Sequence, residues 1–442
     1  MISRNHRGFV LAVALLGGSA TAPALHAQGA ELVVPWTDPV IQWNNVMLAT
    51  VGARNPIEQQ RIAAIAQLAV FEAVNTIVGG YEPYLETQPI VAEHGASPEA
   101  AAIAAAHAAL SRYLPDQSAT LDSARASSLA RIPDGPSKEA GIVIGAAAAG
   151  AMTDARKDDE AQVPEFHVPP STEPGEWQLT STCPPEGGPF LHLAKVAPFG
   201  IARSDQFRAA PPPRLTSRRY ARAFNELKAV GAVDSSNRPA DRADVARFYA
   251  AVLGLPTWNV AAQQVAVAQK RSLNENARAF ALLNMALFDS LIAVFETKYQ
   301  ETFWRPETAI PAGGVDDNPR TDPDASFEPF VKTPCHPSYP SAHGSLGGAA
   351  RKVLERVYGK GPHSIEFATP AVPDVRLSYR SFEEITHDID DARIYGGIHF
   401  RFDQQAGARQ GRQVGAYIVR HHLRPVRHSR EDVGRRDRGV QE

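Results

Sequence analysis

Cysteine is scarce in this chain, with only Cys183 and Cys335 among 442 residues. That excludes a disulfide-dense scaffold, and neither cysteine has the spacing of a zinc or haem-attachment motif. An excess of charge of one sign is also missing: 45 Lys and Arg stand against 48 Asp and Glu, a net charge of −3. A nucleic-acid partner is therefore not implied. Strand-type alternation is nearly absent, and beyond the N-terminal leader the apolar run Gly141 to Met152 is too short to span a bilayer. The chain is long and 44% hydrophobic, enough to bury a core with no metal or disulfide to hold it together. In a mildly acidic protein of this kind, Lys and Arg gathered at one spot point to a bound anion.

Residues 1–27 read as a secretory signal. Arg4, His6 and Arg7 precede the apolar stretch Phe9 to Leu16, and Ala24 to Ala27 offer a small-residue cleavage site. The mature protein is thus expected to be exported, periplasmic or secreted, with no integral membrane part. Export permits a Cys183–Cys335 bridge. The spacing carries no geometric information, so a bridge and two free thiols stand equally open.

The remaining pattern is helical. Asn55, Pro56 and Glu58 cap a helix whose apolar residues from Ile62 to Ala73 recur at three and four. Ser97-Pro98-Glu99 starts an Ala-rich helix to about Tyr113, and Ser137 starts another to Arg156. Further helices are expected over 217–230, 240–252 and, long and buried, 274–304. Between them, eleven prolines from Pro164 to Pro213 mark a long surface-wrapping loop that lids a site or ties two bundles together. The expected fold is all-α: an N-terminal helical bundle over 28–155, a Pro-rich connection over 156–216, a second bundle over 217–420 that carries the site, and a basic, poorly ordered tail over 421–442.

Three segments carry chemistry. Lys298 and Arg305 lie seven apart, nearly two turns, so on an unbroken helix both project from one face about 10 Å apart along the axis. His336-Pro337-Ser338-Tyr339-Pro340-Ser341-Ala342-His343 follows, with Ser341 as the cap of a helix whose free N–H groups suit an oxyanion. The imidazole of His343 adds an acid/base group. In the third segment Arg393 and His399 are six apart across Gly396-Gly397, whose freedom brings them together. Asp403 is four past His399 on the same helical face, placed to accept the second ring N–H.

Jointly these segments resemble the signature of the superfamily that unites type 2 phosphatidic acid phosphatases, bacterial acid phosphatases and vanadium-dependent haloperoxidases: Lys, six residues, Arg-Pro; Pro-Ser-Gly-His; then Ser-Arg, five residues, His, three residues, Asp. Lys298, Arg305, Pro306, Pro340, Ser341, His343, Arg393, His399 and Asp403 fall in register. Likeness to the haloperoxidase branch extends through Phe303-Trp304-Arg305-Pro306 and Gly397-Ile398-His399-Phe400, and covers most of residues 40 to 420. The sequence departs from the pattern twice: Ala342 stands for Gly, harmless in a first helical turn, and Ala392 stands for Ser, which removes a hydrogen bond beside Arg393.

The resemblance implies vanadate held at His399, with Lys298, Arg305, Arg393, Ser341 and the Ala342 N–H around its oxygens and His343 as acid/base group. The implied reaction oxidises halide with hydrogen peroxide and passes the halogen to an organic acceptor. His336 matches the position where algal bromoperoxidases also carry His, which favours bromide. The alternative on the same residues is a soluble phosphomonoesterase with no cofactor, in which His399 is the phosphoryl-accepting nucleophile. A non-catalytic oxyanion-binding protein is the third reading. Elsewhere, Asp316, Asp317, Asp322 and Asp324 read as a solvated turn, Asp388, Asp390 and Asp391 as an exposed helix face, and His107 as a structural histidine.

Overall fold

The structure is a computed structural model that describes residues 38–85, 94–159, 161 and 164–426. The expected leader, 1–27, and the tail beyond residue 426 lie outside the described residues. Helices dominate: α1 (Pro39–Val51), α2 (Pro56–Val78), α3 (Pro98–Tyr113), α4 (Ser118–Leu129), α5 (Pro136–Ala155), α6 (Arg218–Gly231), α7 (Ala240–Ala251), α8 (Gly254–Ala268), α9 (Leu273–Glu301), α10 (Pro306–Ala309), α11 (Ala342–Tyr358), α12 (Phe382–Tyr395) and α13 (Arg401–His421). The sequence pattern did not reveal α1, α4 or α8, nor the antiparallel hairpin β1 (Ile365–Ala368) and β2 (Arg376–Tyr379). Starts follow the capping residues. Asn55 accepts from Ile57 and Glu58, Ser97 from Ala100, and Ser341 from Gly344, each satisfying N–H groups with no partner inside the helix.

Helix α9 is the axis. It is buried from Asn274 through Lys298 save for scattered residues near its start, and it packs against α2 from the first half and α11 and α13 from the second. One continuous apolar core joins all of these. Helices α2 and α9 are both long and apolar enough to cross a membrane, unlike the Ala/Gly run of α5, but both are buried inside the protein. Residues 421–426, expected in a solvated tail, instead fold back: Arg424 forks onto Glu82 and Val426 N–H donates to Gly80.

The Pro-rich connection is stapled along its length. Asp289, at the centre of α9, accepts from the N–H groups of Phe199, Gly200 and Ile201 at 2.7, 2.7 and 2.8 Å. Trp177 N–H donates to Thr302 and Trp304 N–H to Gly175. A disulfide joins Cys183 to Cys335 with the Cα atoms 4.9 Å apart. These ties put the loop against the segment that carries His336.

Helices α11 and α13 meet backbone to backbone. A Cβ on Gly411 would lie 1.8 Å from Ser345 O, and one on Gly407 2.2 Å from Ser341 O. Only glycine permits that approach, and it sets the N-terminal ends of α11 and α13, which bear Ser341 to His343 and His399 to Asp403, side by side.

Candidate active site

Lys298 sits in the last turn of α9, fully buried, and donates to the carbonyls of Pro337 at 2.6 Å and Ser338 at 2.9 Å. Arg305 is not on that helix. Thr302 turns left-handed (φ 41°), and the chain leaves to bridge Glu176 through Phe303. Arg305 follows in extended backbone, as the residue before Pro306 requires. The two cations therefore converge by a reversal of the chain, where the spacing had suggested one helical face. Arg305 is fixed by its ends: Nε donates to His336 O at 2.8 Å, Nη1 to Ile398 O at 2.9 Å and to His399 Nε2 at 3.1 Å, and Nη2 to His336 Nδ1 at 3.0 Å.

His399 also differs from its expected setting. It precedes α13, and Asp403 is in that helix's first turn, so the two do not share a helical face. Asp403 Oδ2 accepts from Phe400 N–H at 3.0 Å as a cap does, and from His399 Nδ1 at 3.0 Å. Ser338 Oγ donates to the same oxygen at 2.6 Å. The acceptor at Nδ1 and the Arg305 donor at Nε2 define the tautomer: Nδ1 carries the proton and Nε2 presents a lone pair.

The first turn of α11 supplies Ser341, Ala342 and His343. Ala342 is its first residue, with no positive φ, so the methyl in place of hydrogen carries no backbone strain. The N–H groups of such a first turn have no helical acceptor. His343 Nε2 is buried without a partner. Arg393 lies in the last turn of α12, just ahead of Gly397 (φ 79°), which turns the chain so closely onto Gly231 that a Cβ would lie 2.3 Å from the Gly231 carbonyl oxygen; the Arg393 side chain is buried there. Its Nη1 donates to Tyr249 O at 3.2 Å, and its Nε is buried without a partner.

Electrostatics follow from burial. Lys298, Arg305 and Arg393 are all buried, and among the described residues none of the three makes an ion pair. Burial, with Arg305 beside it, holds the Lys298 ammonium well below its usual range. Arg305 falls to about 9 and Arg393 to about 10, both mainly through burial. Burial and the surrounding cations keep His336, His343 and His399 neutral. Asp403 is pushed up to about 6 by burial, against the pull of Ser338 and Lys298. Three buried cations facing one carboxylate are costly unless an anion joins them. With the orphaned Arg393 Nε and His343 Nε2 and the unprotonated His399 Nε2 held by Arg305, the donor set fits a tetrahedral or trigonal-bipyramidal oxyanion such as vanadate or phosphate.

His336 packs edge-on against Phe295, with ring centroids 5.1 Å apart, next to the Arg305 fork. Ser338 and the Tyr249 carbonyl are the parts sequence reasoning missed. Of the residues read as bland, His107 pairs with Asp122 and meets Trp43 edge-on. Asp316 turns inward onto Thr321 rather than into solvent. Asp388, Asp390 and Asp391 are half-buried rather than exposed, and Asp388 and Asp391 pair with Arg242.

Residues 278–428 match the family model described as the VCPO second helical-bundle domain. The fold is that of a bacterial vanadium-dependent iodoperoxidase, at a TM-score of 0.73 and 23% identity over 88% of this chain and 99% of that one. It is also that of a holo-type bacterial vanadium-dependent chloroperoxidase, at 0.65 and 18% identity over 82% and 91%. Curated sequences give no match.

Proposed function

We propose, for a chain whose residues 278–428 match the family model of the VCPO second helical-bundle domain, that it is a haloperoxidase: it oxidises halide, bromide in preference, with hydrogen peroxide at vanadate held by His399. The observation that carries this reading is the buried cluster of Lys298, Arg305 and Arg393, three cations with one buried carboxylate, Asp403, among them, gathered around His399. Vanadate, when bound, supplies the centre at which peroxide is activated for a two-electron oxidation.

The chain's own groups do the rest. Asp403, itself held by Ser338, keeps the proton on His399 Nδ1, so that Nε2, oriented by Arg305 Nη1, is the unprotonated nitrogen a ligand would use. The three cations neutralise the oxyanion's charge in a buried site, where fixed charges act strongly and need no reorganisation. Ser341 Oγ and the Ala342 N–H add neutral donors. His343 Nε2, neutral and unpartnered, can take a proton from peroxide and return it to the leaving oxygen. Neutral His336, beside Arg305, offers the halide a small, weakly polar seat that suits bromide over the more strongly hydrated chloride. We also infer export, from the signal-like pattern of residues 1–27 and from the Cys183–Cys335 disulfide, which an oxidising compartment sustains.

The test is a pair of assays on the purified mature protein: bromination of a phenol after loading with orthovanadate, and phosphate release from a phosphomonoester by the vanadate-free form. Bromination that exceeds chlorination and disappears in His399→Ala is expected. Phosphate release without halogenation at any vanadate concentration assigns the site to phosphoryl transfer instead.

A further inference from the structure

A cavity of about 610 Å³ opens onto His343 and Arg393. The end of α7 with Leu253 forms one wall, residues 331–334 a second, and the β1–β2 turn with Val372 and Pro373 a third. Halide and peroxide are a few atoms at most and strongly hydrated, so neither needs a space of this size or an apolar wall. Cavities of about 300–1,000 Å³ with apolar walls and a few polar groups are the mark of organic ligands.

The charges of the rim are unequal. Arg247 is tied to both Asp244 and Asp374, so its charge is spent on those two carboxylates. Arg393 faces the oxyanion cradle. Lys332 lines the same cavity, is exposed and makes no ion pair among the described residues. The wall thus keeps one uncommitted positive charge, on Lys332.

We propose that this cavity binds the organic acceptor itself, an apolar aromatic molecule carrying a carboxylate that pairs with Lys332, and that halogenation occurs on the held molecule. The proposal rests on the haloperoxidase reading. Peroxide is reduced by two electrons to water, halide is oxidised to the level of a halogen cation, and an aromatic carbon forms the new bond to halogen as its C–H proton departs. Hydrogen peroxide, halide, acceptor and one proton become halogenated acceptor and two waters.

Two probes with the same ring system, 6-hydroxy-2-naphthoate and its neutral 2-carboxamide, test this on the orthovanadate-loaded full-length mature protein. The carboxylate should show a KM lower than the amide by about fivefold, as an exposed ion pair allows. Lys332→Glu should erase or invert that ratio, and Lys332→Arg should keep it. Added salt should shrink it. Val372→Trp, which fills the cavity, should raise KM for both probes at least about tenfold. Without peroxide, calorimetric titration with the naphthoate should show one site per chain, lost in Val372→Trp. An unchanged carboxylate-to-amide ratio in Lys332→Glu, or naphthoate binding unchanged in Val372→Trp, overturns the proposal. Absence of halogenation of both probes and of a simple phenol overturns the haloperoxidase reading instead, and the calorimetric result still decides whether the cavity holds an aromatic acid.

Discussion

Ser338 donates its hydroxyl hydrogen to Asp403 Oδ2 at 2.6 Å, on the same carboxylate oxygen that accepts from His399 Nδ1 at 3.0 Å. One oxygen thereby ties the loop ahead of α11 to the histidine ahead of α13. The lone pair of His399 is aimed by a serine 61 residues away in sequence.

Ser338→Ala removes the donor and leaves a buried carboxylate less well held. Loss of such an outer partner weakens ligand binding by about 10- to 100-fold. Orthovanadate affinity measured by calorimetry should fall within that range, and Ser338→Thr, which keeps the hydroxyl, should restore most of it. Equal affinity in Ser338→Ala and the unaltered protein would remove Ser338 from the positioning of His399.

Arg393→Lys keeps the charge but not the planar fork. Its Nε is the orphan that faces the cradle while Nη1 is spent on Tyr249 O. A lysine ammonium cannot do both, so the change is not conservative. Orthovanadate should bind at least about tenfold more weakly, the loss of one charge-assisted hydrogen bond. Unaltered affinity would mean that charge alone is what the site requires.

The order and spacing of Lys298, Arg305, Ser341, His343, Arg393, His399 and Asp403 were legible in the sequence, and so were the helices with an Asn or Ser cap. What was not legible depends on distant partners. Arg305 leaves the helix of Lys298 because the chain from Thr302 to Trp304 pairs with residues 175–177, over a hundred positions earlier. Asp403 meets His399 through the cap of α13, so the contact was right and the helical face was not. Ser338 acquires its role only from Asp403, and the Cys183–Cys335 bridge spans 152 positions, beyond what local spacing can encode.

Close helix contact should show in stability. Gly411→Ala puts a methyl 1.8 Å from Ser345 O, which forces α11 and α13 apart at a cost of about 3 kcal/mol. The thermal unfolding midpoint should fall by about 3 °C. Gly150→Ala is the control, since a Cβ there meets nothing within 4 Å on the surface of α5, and its midpoint should hold or rise slightly. Equal midpoints for the two variants would contradict the backbone contact.

Asp289 gives the fold a pH dependence. Burial pushes its carboxyl up to about 6, against three backbone donors, from an unfolded value of 3.8. A raised folded-state value means that the native state binds the proton more readily, so this contribution is full below pH 3.8 and is lost as pH rises through about 6. The difference amounts to about 3 kcal/mol at most. The stability advantage of the unaltered protein over Asp289→Asn should therefore narrow between pH 4 and pH 7, as read from denaturant unfolding. A constant difference would show that Asp289 does not titrate there.

The central claim is that three unpaired buried cations and one oriented histidine form a cradle for catalytic vanadate. The most direct measurement is the rate of bromination of a phenol, with peroxide and bromide present, as orthovanadate is titrated into the metal-free protein. The rate should rise from nothing and saturate at one vanadate per chain, and His399→Ala should stay flat. Zero bromination across the titration, with phosphate release that vanadate inhibits, would contradict it.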